Sequence, residues 1–248
     1  MKSRAQFTDI LGLPRRCCLW GGFALILALL CGCASGPTAH AQDPLEPLNR
    51  SIFGFNETVD RTVLQPVATA YKDGVPSAVR RGVSNFFDNL KDILSVPNNV
   101  LQFKVQAAAE GVLRVVVNTT LGVVGLFDVA SELGLERYPE DFGQTLGHWG
   151  LGAGPYLVLP LLGPSSARDV AGLVVDYQGD LLTRINDVST RNGLRVLNGV
   201  DTRSNFLRAS KVMEEAALDK YLFTREAYIQ RRRSAVYDGN PPDLEVDQ

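Results

Sequence analysis

The chain has 248 residues, 45% of them hydrophobic and 21% charged, and its formal net charge is −2. That length can bury a sizeable core in one domain. The weakly acidic balance excludes a nucleic-acid binder, whose phosphate contacts need a basic surface.

The first element is a basic leader, Lys2, Arg4, Arg15 and Arg16, that runs into an apolar segment from Cys17 to Leu30. This is the layout of a secretory signal peptide, and the apolar segment is shorter than the roughly 20 residues that a bilayer-spanning helix needs. Leu30-Cys31-Gly32-Cys33 resembles a bacterial lipoprotein cleavage site, with Cys33 as the acylated first residue of the mature chain. An uncleaved anchor helix is the competing reading. Ala34, not Asp, follows the anchor, which in lipoproteins of this type points to the outer membrane. Cleavage after residue 32 removes four of the 25 basic side chains and one of the 27 acidic ones, which leaves 21 against 26, about −5. It also removes Cys17, Cys18 and Cys31, so no internal disulfide can form and stability must come from burial.

Residues 33–42 form a small, polar, lipidated tether that cannot pack. The folded body is expected over 43–238 and a disordered tail over 239–248. Asp43-Pro44-Leu45-Glu46 carries the signature of a helix start, with Asp43 as cap, and Leu45, Leu48, Ile52, Phe55 and Val59 recur on one face. This helix runs to about Val63, and Pro66 breaks it. Pro76 opens a second helix, with Val79, Val83, Phe86, Phe87, Leu90, Ile93 and Leu94 at helical spacing, which Pro97-Asn98-Asn99 ends. A third covers Val100 to about Asn118, with Leu101, Val105, Ala108, Val112 and Val115 on one side. The apolar stretch Thr119–Gly134 reads as a short helix, either buried or facing lipid. Residues 141–163, with six glycines and two prolines, read as an adaptable loop. Ser165 or Ser166 caps the next helix, and further helices fall around 180–200 and 203–236. No strand-period alternation of useful length and no fixed-period repeat is visible. The fold class is all-α.

Residues able to carry enzymatic chemistry are scarce. His40 lies in the tether, which leaves His148, and no Gly-x-Ser-x-Gly elbow accompanies it. The sequence holds no C-x-x-C, no H-E-x-x-H and no P-loop. No cofactor and no metal is expected. The Gly-rich segment lacks the strand-loop-helix context of a phosphate-cradling loop, and on composition alone tight turns explain it equally well.

Several separated runs give the segment a function by similarity. Asp43-Pro44-Leu45-Glu46 with Asn49-Arg50, Asn118 to Gly122, Phe142 to Gly147, Gly152 to Pro160, Arg168-Asp169, and Arg225 to Tyr228 with Gln230-Arg231 resemble the VacJ/MlaA family of outer-membrane lipoproteins, in order and spacing. The resemblance implies a ring of amphipathic helices in the inner leaflet of the outer membrane, beside a porin trimer. A central polar channel would take mislocalised phospholipids from the outer leaflet and pass them to a soluble periplasmic carrier. On that basis Asp141, Gln144, Thr145, His148, Arg168 and Asp169 are expected to line the channel, and Gly152 and Gly154 to hinge a loop. Arg168 suits a lipid phosphate, or pairs with an Asp. Two other classes compete, a lipid-anchored scaffold that holds a porin or carrier without conducting lipid, and a phospholipase, against which the scarce His and missing elbow argue.

Overall fold

The computed structural model describes residues 43–242. The leader, Cys33, the tether and the last residues of the tail lie outside the described residues. Helices dominate: α1 (Glu46–Val59), α2 (Gln65–Gly74), α3 (Ser77–Leu101), α4 (Val105–Thr120), α5 (Val129–Glu132), α6 (Phe142–His148), α7 (Ala167–Gly179), α8 (Val188–Ala216) and α9 (Lys220–Val236). One antiparallel hairpin, β1 (Tyr156–Leu159) and β2 (Gly163–Ser166), pairs Tyr156 with Ser166 and Leu159 with Gly163. No helix among the described residues is long and apolar enough to cross a membrane.

Two expected breaks are absent. The chain stays helical through Pro66, because a π-helical turn, Asp60–Leu64, joins α1 to α2 and places Pro66 in the first turn of α2. There the missing proline N–H costs little. Helix α3 likewise continues past Pro97 to Leu101. Beyond Pro97, Asn98 Nδ2 donates to the Leu94 carbonyl and Asn99 Nδ2 to the Ser95 carbonyl, each at 2.9 Å, which adds side-chain bonds to the turn after the proline. The break falls instead at Gln102–Lys104, where Phe103 adopts φ 61° and α4 folds back on α3. The stretch Thr119–Gly134 holds only the short α5; Val123 and Val124 before it sit in the left-handed region. The last two helices divide at 217–219, not near 200.

The expected loop over 141–163 contains ordered structure at both ends. Asp141 caps α6 by accepting from the Gln144 N–H at 2.8 Å, and β1 is held to α1 by side chains on one helix face. Asn49 donates to the Tyr156 carbonyl at 3.0 Å and accepts from the Val158 N–H at 2.9 Å. One heptad later, Asn56 binds the Leu159 carbonyl and the Leu161 N–H in the same way. Ser166 caps α7, as its sequence suggests. Asp43 does not cap α1. It is fully buried and accepts from Asn49, Tyr221 and Arg225.

Burial runs against the usual order. Asn49, Asn99, Thr145, Asp43 and Ser204 are the largest fully buried side chains, whereas Phe103 is 84% exposed and Leu162 69%. The apolar faces read from periodicity are only partly buried: Leu48, Phe55, Val79, Val105, Val112, Phe206 and Val212 are exposed, whereas Phe87 and Ala108 are buried. Helix α4 buries Arg114 and Asn118, and α8 buries Asp201 and Ser204. A small aromatic core, Tyr156, Val158, Tyr221 and Tyr228, joins β1 to α9. Helix α6 crosses α7 at glycines; a Cβ on Gly172 would lie 2.4 Å from the Gly143 nitrogen.

Candidate functional site

The polar seam where α6, α7 and α9 meet gathers half of the residues expected to line a channel. Arg232 of α9 is its hub. Its two terminal nitrogens grip the Asp141 carboxylate at 2.6 and 2.5 Å, while Nε and Nη2 reach Asp169 at 2.8 and 3.0 Å. Tyr228, one turn earlier, donates its hydroxyl to Asp169, and Arg168 Nε binds the other Asp169 oxygen at 3.0 Å. The pairing of Arg168 with an aspartate that its sequence left open is therefore present, and the aspartate is its neighbour.

These contacts set the charges. Burial pushes the Asp169 carboxyl up, but Arg232 and Tyr228 outweigh it and hold the group below its ordinary range. Burial likewise works against the Arg232 charge, and the two aspartates overcome it, so the guanidinium stays protonated. The Tyr228 hydroxyl is raised by burial and by its carboxylate partner and remains a donor. Asp176 on α7 differs. Burial lifts its carboxyl to about 6, and its contacts include the Phe142 N–H that opens α6.

Gln144 and Thr145 face the opposite way, toward α3. The Thr145 hydroxyl is fully buried, donates to Asn98 Oδ1 at 2.8 Å and accepts from Gln102 at 3.1 Å. Gln144 is buried and donates weakly to the Pro139 carbonyl at 3.3 Å. Together with Asn99, Lys104, Arg137 and Glu140 it lines a cavity of about 590 Å³. His148, at the end of α6, is exposed and joins neither group.

Two further hollows flank the seam. One, of about 480 Å³, lies between the Gly147–Gly154 segment and α9 and contains Gly152, Gly154, Arg168 and Arg233. The other, of about 260 Å³, opens beside the hairpin and contains Asp141, Asp169, Asp176 and Leu162. Tyr228 and Arg232 line both, so these two side chains stand between the hollows. Gly154 has φ 68°, and a Cβ there would lie 3.1 Å from the Ala167 Cβ; Gly152 has open space around it. No group of acidic, His or Cys side chains that could hold a metal is found among the described residues.

Sequence reasoning missed Arg232 and Tyr228 as site residues, along with Asp176, Asn98 and Gln102. The signal for the first two was present. Tyr221, Arg225, Tyr228 and Arg232 recur at intervals of four, three and four residues, where an ordinary amphipathic helix would carry Leu or Val.

Comparison with known proteins places this geometry. The sequence model of the MlaA lipoprotein family matches residues 41–235. The intermembrane phospholipid transport system lipoprotein MlaA of Escherichia coli (strain K12) is 38% identical over 214 residues, covering 84% of each chain. Its Haemophilus influenzae counterpart is 31% identical over 229 residues, 87% of this chain and 90% of that one. A solved structure described as the structural basis for maintenance of bacterial outer membrane lipid asymmetry superposes with a TM-score of 0.70 at 37% identity, covering 80% of this chain and 99% of the other. The overall fold is thus shared, and the chain belongs to the MlaA lipoprotein family.

Proposed function

We propose that this protein is an outer-membrane lipoprotein, acylated at Cys33, that removes mislocalised phospholipids from the outer leaflet. In this reading the lipid passes through a central polar channel within a ring of amphipathic helices, seated in the inner leaflet beside a porin trimer, and is received by a soluble periplasmic carrier. The observation that carries the proposal is the inverted burial: polar and charged side chains outnumber apolar ones in the interior, while many Phe, Leu and Val side chains stand on the surface. A protein immersed in water has no use for that arrangement, whereas one embedded among acyl chains matches its exterior to the lipid and keeps polar groups inward.

The physical demand on such a route is clear. Moving a diacyl lipid into water exposes roughly thirty methylenes, at about 0.8 kcal/mol each, so the cost is on the order of 25 kcal/mol. A passive path must keep the tails in apolar surroundings while offering the headgroup polar contacts. The hollows on either side of Tyr228 and Arg232 offer both, with Leu151, Ile229 and Val236 beside arginines in one, and Leu159, Leu162 and Leu173 beside aspartates in the other. The names of the E. coli and H. influenzae relatives, which specify intermembrane phospholipid transport, support the same reading.

The test is transfer of labelled phospholipid from vesicles holding the acylated protein to the purified carrier. Net transfer that depends on the protein is expected. Carrier capture without lipid transfer supports a scaffold instead, and hydrolysis products support a phospholipase.

A further inference from the structure

We infer that the hollow between the Gly147–Gly154 segment and α9 contains a phosphodiester-binding subsite built from Arg168 and Arg233; this rests on the transport reading above and gives it a headgroup contact. Three guanidinium groups, Arg168, Arg232 and Arg233, line this hollow, and no carboxylate does. Arg168 is 7% exposed. It spends Nε and Nη2 on Asp169, at 3.0 and 2.9 Å, and Nη1 has no acceptor among the described residues. Nη1 is a solvent-reachable guanidinium donor on a residue that lines the hollow, and it can serve an oxygen bound there.

Gly147 makes room for that nitrogen. A Cβ at position 147 would lie 2.7 Å from Arg168 Nη1, so any larger residue displaces the guanidinium. Arg233 supplies the second donor group; its hydrogen-bond partner among the described residues is the Pro242 carbonyl, and it forms no ion pair there.

Charge narrows the ligand. Arg168 and Arg232 are offset by Asp169 and Asp141, which among the described residues leaves the single positive charge of Arg233 in surplus. One surplus charge suits the monoanionic diester of a glycerophospholipid better than a doubly charged monoester. Leu151, Ile229 and Val236 line the rest of the hollow and suit a glycerol and the first methylenes of its chains. Its volume of about 480 Å³ falls within the usual range of ligand pockets, roughly 300–1,000 Å³.

The test measures binding of a fluorescent phosphatidyl lipid to the full acylated protein in nanodiscs, with three competitors: glycerophosphoglycerol, inorganic phosphate and diacylglycerol. Glycerophosphoglycerol is expected to compete, and Arg233→Gln to weaken the phosphatidyl lipid about tenfold, the loss of one charge-assisted hydrogen bond. Gly147→Ala, whose Cβ would also lie 2.9 Å from the Val236 methyls, is expected to act in the same direction; diacylglycerol affinity is expected to stay unchanged in Arg233→Gln, and circular dichroism checks that both variants fold. Equal competition by inorganic phosphate would overturn the diester assignment in favour of a plain anion site. If Arg233→Gln and Gly147→Ala leave phosphatidyl lipid affinity unchanged, the subsite falls, even where the wild type still transfers lipid. Conversely, diester binding lost in Arg233→Gln alongside a wild type that transfers nothing would keep the subsite and discard the conduit.

Discussion

The seam around Asp169 and the outer turn Leu121–Phe127 divide the labour of this fold in opposite ways. At the seam, five polar side chains bind one another, and the positions of the two aspartates are over-determined by hydrogen bonds. At the turn, Leu121, Val123, Val124 and Phe127 stand exposed, and two valines accept a left-handed backbone that β-branched residues disfavour. Backbone hydrogen bonds, from Gly125 N–H to the Asn118 carbonyl and from Phe127 N–H to the Gly122 carbonyl, hold the turn in shape. The lesson is that the interior of this protein is specified by polar complementarity and its exterior by apolar display, so mutations at the two places should fail different assays.

The largest effect is expected at the hub. Arg232→Met leaves Asp141 and Asp169 without their cation, and breaking a buried pair in this way costs about 3–5 kcal/mol. Chemical denaturation in detergent checks it, and a loss below about 1 kcal/mol would show that the seam does not hold the interior together. At the outer turn the expectation reverses. Phe127→Ser should change fold stability by no more than about 0.5 kcal/mol, yet weaken vesicle binding of unacylated protein by roughly tenfold, since it removes about 1–2 kcal/mol of apolar burial in lipid. Flotation with liposomes measures this, and an unchanged bound fraction would mean that the turn does not meet the membrane.

How much of this was readable in the chain depends on which residues carried it. Helical periodicity found the helical character of most of the chain, because amphipathic spacing survives whichever way the apolar face points, but it left out Gln65–Gly74 and divided the last two helices at the wrong place. It could not tell inside from outside: Leu48 and Phe55 are exposed while Ile52 between them packs on the aromatic core, and Val105 and Val112 are exposed while Ala108 between them is buried. The expected breaks at Pro66 and Pro97 are absent for local reasons: a π turn places Pro66 in the first turn of a helix, and the helix around Pro97 carries extra side-chain bonds from Asn98 and Asn99 to its backbone. The hairpin was invisible because four residues, Tyr156–Leu159, are too few to show an alternation and are held by asparagines 103 to 109 positions away. Asp141, Arg168 and Asp169 were legible through family resemblance. Arg232 escaped because an arginine among Gln230-Arg231-Arg232-Arg233 looks like a solvated charge run until α9 is seen to turn one of its sides inward.

Smaller changes sharpen the contrast. Gly154→Ala should cost about 1–2 kcal/mol, because alanine resists φ 68° and its Cβ would crowd Ala167, whereas Gly152→Ala should leave stability within about 0.5 kcal/mol. If alanine at both positions leaves outer-membrane lipid asymmetry unchanged, neither glycine is a hinge. The subtlest effect is expected at Asp176. Its folded carboxyl holds a proton up to about pH 6, so its contribution to stability is full below its unfolded value and is lost as the pH rises through 6. Asp176→Asn keeps an acceptor for the Phe142 N–H and should be more stable than the wild type at pH 7–8, with the advantage disappearing near pH 4. Thermal denaturation across that range checks the sign. Asp169 contributes in the opposite sense: its lowered carboxyl stabilises the fold above its unfolded value and gives up that stability as the pH falls through its folded value.

The most direct measurement is photocrosslinking with a phospholipid whose probe lies next to the headgroup, on acylated protein in membranes, with the captured residues located by mass spectrometry. Capture at Ile229 or Ser165, which line the hollows on the two sides of Tyr228 and Arg232, is the predicted result. Capture confined to the outer surface at Phe103 and Leu121–Phe127, with none in the hollows, would contradict an interior route for the lipid.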